Sequence, residues 1–177
     1  WAWAAPAMTL PPFVFDVATT QVAGNKLHLA KRVGADIEPS WIADTKGRPI
    51  QEPTKLPDEY MLLPFGGTRE QGSHKGYGFA ATSEILSTIL SGMGPGFLMP
   101  PKPRTVMGHY VQAIKIDGFI DPDDFKKDMD KFLLGLINAK PAPNKDRVIY
   151  PGLTEYEEQK IRKSKGIPYH SEVINWF

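Results

Sequence analysis

The chain has 177 residues, 41% of them hydrophobic and 23% charged, with a formal net charge of +1. Those values fit a globular protein with one domain's core or slightly more, and give no reason to expect nucleic acid or a membrane as partner. Cysteine is absent, which excludes disulfides, thiolate catalysis, zinc–cysteine sites and iron–sulfur clusters. His28, His74, His109 and His170 show no His-x-x-x-His spacing, so no metal site is expected.

Trp1-Ala-Trp-Ala-Ala-Pro6 lacks the basic leader and apolar run of a signal peptide. It reads as the middle of a buried strand, as if a preceding segment or a partner chain completed it. No stretch is apolar for long enough to span a bilayer, and a cytoplasmic location is expected. Phe13 to Ala18 is a short β-rich run with one carboxylate, Asp16, inside it. Thr19 to Val33 has a helical pattern, with Val22, Leu27, Leu29, Ala30 and Val33 as apolar candidates and Gly34 as its stop. Residues 35–60 form a long polar connection that Trp41 pins to the body. Met61 to Phe65 is another short apolar run.

Gly66-Gly67 opens a polar loop, Thr68 to Gly76. Tyr77 to Ser91 is almost uncharged and predicts a buried helix. Residues 92–108 read as loop, with Lys102 and Arg104 solvated among prolines. His109 to Ile116 alternates partly and predicts a strand. Asp121-Pro-Asp-Asp124 is a strong helix start. The stripe Phe125, Met129, Phe132, Leu133, Leu136 and Ile137 follows it as core or dimer surface. Pro141 and Pro143 end that helix. Arg147 to Tyr150 predicts a short strand and Pro151-Gly152 a turn. Thr154 to Lys165 predicts a surface helix with a Thr154/Glu157 capping box and Gly166 as C-cap. The alternation is irregular, which predicts an α+β fold with a mixed, largely antiparallel sheet and packed helices.

Two places carry candidate chemistry. In the loop Gly66 to Gly78, glycines allow close approach of a ligand, and Lys75 with a helix N-terminus favours an anionic or polar cofactor group. The alternative, which the residues alone favour, is a glycine-rich packing corner with Lys75 solvated. Gly72-x-x-x-Gly76-x-Gly78 matches neither the G-x-G-x-x-G fingerprint nor a Walker loop. Asp16 inside an apolar run is either held by burial in a form suited to acid–base assistance, or is an edge-strand residue bonding a nearby loop. Tyr150-Pro-Gly-Leu153 precedes a helix and reads first as a plain lead-in. His74 and His109 read equally as acid–base groups or as ordinary surface or core histidines.

The ordered set Phe13-Val-Phe-Asp-Val-Ala-Thr-Thr20, Trp41-Ile-Ala-Asp-Thr-Lys-Gly-Arg-Pro49, Leu63-Pro-Phe-Gly-Gly67, Lys75-Gly-Tyr-Gly-Phe79 with Glu84-Ile-Leu86, and Val148-Ile-Tyr-Pro-Gly152 with Gly166-Ile-Pro168 resembles the malate/L-lactate dehydrogenase family. The resemblance implies a non-Rossmann dinucleotide-binding domain, NAD or NADP as cofactor, a small 2-oxoacid or 2-hydroxyacid substrate, and a homodimer. It makes Asp16 the strand aspartate beside the reacting centre. It gives dinucleotide contacts to His74, Lys75 and Gly76, and to Pro151, Gly152 and Leu153. The family's catalytic histidine and substrate-clamping arginine lie in an earlier helical region, so the chain resembles the C-terminal half. In that scheme residues 1–118 form most of the NAD(P)-binding domain. Residues 119–177 complete it and pack on the N-terminal helical region. The alternative is a catalytically inactive structural or interaction subunit derived from the same family.

Overall fold

The short β-rich runs at the start fold back on each other. In the computed structural model, which describes residues 1–99 and 107–175 without the side chain of Glu172, β1 (Ala2–Ala5) pairs antiparallel with β2 (Phe13–Asp16). Ala2 stands opposite Asp16 and Ala5 opposite Phe13. A second antiparallel pair joins β3 (Ile42–Ala43) to β4 (Met61–Leu62). The fold is helices with small antiparallel sheets, as the α+β reading requires. Among the described residues no parallel pair makes the sheet mixed. Among the described residues the strands expected at 109–116 and 147–150 form no ladder, and Ile116 instead opens a 3-10 turn, Ile116–Gly118. Lys102 and Arg104 lie outside the described residues.

The chain divides into two units, one of Trp1 with Val17–Ala113 and one of Ala2–Asp16 with Ile114–Phe177. In the first, Val22, Leu27, Ala30, Ile37 and Ile42 are buried together, and Trp41, Ile50, Leu56 and Tyr60 pack on them. Trp41 thus pins the long connection as expected. Helix α1 (Gly24–Val33) starts later than its apolar pattern. The preceding backbone is taken by the 63–65 segment: Gln21 donates its amide to the Leu63 carbonyl at 2.8 Å, and Phe65 to that of Thr19 at 2.9 Å. Leu29 and Val33 are exposed, so the buried stripe is narrower than predicted. Gly34 ends α1 at φ 65°, its amide donating to Ala30 and Lys31 carbonyls.

Helix α2 (Ser73–Glu84) runs into a π-helical turn, Ile85–Ile89. Its predicted burial is not found. Only Gly76 is buried in α2, while Tyr77, Phe79, Ile85, Ile89 and Leu90 are exposed. An apolar helix needs cover on several sides, and Phe79 packs on the rings of Trp1 and Phe65. The strand at the N-terminus also forms without burial, with Trp3 59% exposed.

In the second unit α3 (Pro122–Ile137) begins as its sequence predicts. The Asp121 carboxylate accepts from the amides of Asp123 at 2.9 Å and Asp124 at 3.1 Å. Its stripe buries Leu133 fully, with Met129, Leu136 and Ile137 around it, while Phe132 stays exposed. Leu133 meets Tyr150 and Leu153, the latter opening α4 (Leu153–Lys165). The expected capping box does not form. Gly152 is the N-cap, at φ 96°, so the helix starts one residue before Thr154. Glu157 instead takes a bidentate pair with Arg147, at 2.8 and 2.5 Å, and the guanidinium holds that carboxyl below the usual range. Gly166 caps the other end. A short helix, α5 (Ser171–Ile174), follows.

Candidate cofactor site

Pro151 and Gly152 bring the start of α4 against β2. Val14 donates its amide to the Pro151 carbonyl at 3.0 Å. A Cβ on Gly152 would stand 2.9 Å from the Val14 nitrogen and 3.1 Å from the Pro12 carbonyl oxygen. Glycine is therefore required there twice, for its positive φ and for the close approach. Tyr150 is buried and donates its hydroxyl to the Pro11 carbonyl at 2.9 Å. Burial pushes its phenol above the ordinary range.

Between β2 and the start of α4 lies a groove of about 600 Å³, lined by the apolar Pro12, Val14 and Phe15 with Gly152, and by the polar Asp16, Glu155, Tyr156 and Gln159. Three of the expected site residues, Asp16, Pro151 and Gly152, thus converge on one concavity. Asp16 is exposed and has no side-chain partner among the described residues. The buried-carboxylate reading does not hold, and its chemistry here is that of an accessible acceptor. The Leu153 side chain lies in the core and its amide donates to Tyr150. Glu155, Tyr156 and Gln159 escaped the sequence reading. Their spacing along one turn from Pro151-Gly152 is the signal that places them on the same helix face.

The other expected residues stand at the start of α2. His74 and Lys75 are exposed in its first turn, and no acidic residue shares that turn. Gly76 is buried: an added Cβ would land on the Phe65 carbonyl oxygen and 2.6 Å from the Phe65 nitrogen. A Cβ on Gly66 would meet the Gly72 carbonyl at 2.8 Å. These glycines pack helix on loop, as the packing-corner reading has it. Gly72 is different, since the atoms nearest to a Cβ there belong to the Lys75 side chain, at 3.8 Å or more. Lys75 therefore lies back across the open mouth of α2, where the helix dipole is positive. A phosphate group fits that charge pattern.

The model of one family, malate/L-lactate dehydrogenase, matches residues 1–177. The chain belongs to the malate/L-lactate dehydrogenase family. It is 30% identical to a malate dehydrogenase of Pyrococcus abyssi over 93% of this chain and 46% of that protein. It is 34% identical to an L-lactate dehydrogenase of Cupriavidus necator, over 83% and 41% respectively. The crystal structure of malate dehydrogenase from Entamoeba histolytica superposes on 98% of this chain and 51% of its own, with a TM-score of 0.84 and 27% identity. The chain spans about half the length of the family members it matches. Arg48 is paired with Asp44, Arg147 with Glu157 and Arg162 with Glu158.

Proposed function

We propose that the chain is the cofactor-binding half of an NAD(P)-dependent oxidoreductase that interconverts 2-hydroxyacids of the malate or lactate type with 2-oxoacids. The observation that carries this is the convergence of Asp16, Pro151 and Gly152 on one groove in a member of a dehydrogenase family. When bound, the dinucleotide supplies or accepts the hydride. The groove's apolar lining offers a flat ring a surface to pack on, and its polar side chains can orient the hydroxyls of the attached ribose. Asp16 presents a carboxylate oxygen that holds a proton-bearing group beside the reacting atoms. Lys75, with His74 beside it and Gly76 setting the helix start, holds a phosphate by charge. Leu153 fixes the first turn of α4 from the core side.

In this reading residues 1–118 make up most of a non-Rossmann dinucleotide-binding domain and residues 119–177 complete it. The proton-transfer group and the substrate-carboxylate clamp come from a further helical segment or a second chain. The active form is a homodimer in the cytoplasm. Among the described residues no helix is long and apolar enough to cross a membrane.

Lys75→Ala is expected to raise the NADH dissociation constant about fivefold to tenfold, the worth of one exposed charge contact of roughly 1 kcal/mol. Fluorescence titration checks it. An unchanged constant removes Lys75 from the site.

A further inference from the structure

One carboxylate on α3 serves neither as a cap nor in an ion pair. Asp130, half-buried, reaches out to the connection between β1 and β2. One of its oxygens accepts the backbone amides of Met8 at 3.1 Å, Thr9 at 3.2 Å and Leu10 at 3.2 Å. The other accepts the Thr9 amide at 3.0 Å and the Thr9 hydroxyl at 2.6 Å. Three successive amides thus converge on one anion. The Thr9 hydroxyl, then the amides of Leu10, Thr9 and Met8, hold its carboxyl below the usual range.

The same connection is held at its far end by the Tyr150 hydroxyl on the Pro11 carbonyl, and by Ala7, Leu10 and Phe13 packing on the Leu133 cluster. β2 leaves this anchored turn directly. Its Val14 amide reaches the Pro151 carbonyl, and Pro12, Val14, Phe15 and Asp16 form one wall of the groove whose other wall is α4. Asp130 does not line the groove. It fixes the turn from which one wall hangs.

We propose that Asp130 is a positioning residue for the cofactor groove, setting β2 against the start of α4 through its grip on Met8, Thr9 and Leu10. This rests on the dinucleotide reading of the groove given above. Charge-assisted hydrogen bonds to backbone amides are short-range and directional. Their loss leaves three amides to be satisfied by water and frees the turn to shift. A displacement of about 1 Å in a binding wall is enough to cost an order of magnitude or more in a well-oriented site.

The test uses the 177-residue chain with any polypeptide that co-purifies with it, and the variants Asp130→Asn, Thr9→Ala and Lys75→Ala. Asp130→Asn keeps the shape but replaces an acceptor oxygen by a donor that faces the amides. Thr9→Ala removes one hydrogen bond and leaves the amide cluster intact, which keeps the test open if Asp130→Asn folds poorly. NADH affinity is read by fluorescence at a temperature where circular dichroism shows each protein folded. Exchange of the Val14 amide is followed in parallel. Asp130→Asn is expected to raise the NADH dissociation constant about tenfold and Thr9→Ala about twofold to threefold, with Val14 exchange faster in the same order. Lys75→Ala is expected to weaken NADH without changing Val14 exchange. A residue that only stabilised the fold would leave the affinity of the folded protein unchanged, and that result overturns the proposal. If the unaltered protein binds no dinucleotide, the cofactor reading falls and this role for Asp130 falls with it. If it binds and Asp130→Asn binds equally well, only the role for Asp130 falls.

Discussion

Gly152→Val is expected to destabilise the chain by about 3 kcal/mol or more and to abolish dinucleotide binding. Two costs combine at this position. The backbone stands at φ 96°, where a β-branched residue is strained by roughly 1–2 kcal/mol. The added Cβ also meets backbone, not a flexible side-chain end: the Val14 nitrogen at 2.9 Å and the Pro12 carbonyl oxygen at 3.1 Å. The only relief is for β2 to move off α4, which breaks the Val14–Pro151 hydrogen bond and deforms the groove. Gly135→Ala is the matched control. Gly135 lies in α3 with nothing within 4 Å of an added Cβ, so alanine there should stabilise by about 0.5–1 kcal/mol through helix propensity. Urea unfolding of both variants checks the contrast. A Gly152→Val protein as stable as the parent would mean that β2 and α4 are not in this contact.

Leu133→Ala should cost about 2–5 kcal/mol, the range for emptying a closed core site. Leu133 has no exposed surface and packs from α3 on Tyr150 and on Leu153, the first residue of α4. The cluster it belongs to is the one that holds Leu10 and Phe13 of the hairpin. Its loss therefore weakens the groove as well as the fold, and NADH affinity should fall along with the unfolding midpoint. The neighbouring Leu134 is 45% exposed, and Leu134→Ala should change stability by less than about 1 kcal/mol. Equal midpoints for the two variants would contradict the assigned core.

How much of this was readable from the sequence depends on the range of the interaction concerned. The Asp121 cap was legible because its partners, Asp123 and Asp124, are two and three residues away. The Gly34 and Gly166 stops are equally local. The Thr154/Glu157 capping box does not form because two other groups compete with it. Gly152 can adopt a positive φ and start the helix earlier, and Arg147 claims the Glu157 carboxylate. The strand expected at 109–116 has suitable residues but no ladder partner among the described residues, which periodicity alone cannot reveal. Burial of α2 was expected from its own composition, yet burial depends on what packs over the helix.

The site shows the same division. Asp16 and the Pro151-Gly152 turn were separately visible, each with a plain structural alternative. Their convergence on one groove depends on a contact across almost the whole chain, and only the ordered family resemblance hinted at it. The glycines of the 66–76 loop were visible as a cluster, and the structure divides their roles between packing at Gly66 and Gly76 and an open mouth at Gly72. Asp130 gave no sequence signal at all. It looks like any acidic residue on an amphipathic helix, and its partners at Met8, Thr9 and Leu10 lie 120 to 122 residues away.

The central claim is tested most directly by titrating the chain, alone and with any polypeptide that co-purifies with it, with NADH and NADPH by fluorescence, and then adding oxaloacetate or pyruvate. Saturable binding of at least one dinucleotide is predicted, followed by its oxidation once the segment carrying the proton-transfer group is present. Failure of both dinucleotides to bind in the presence of that segment would contradict the account and favour an inactive structural subunit.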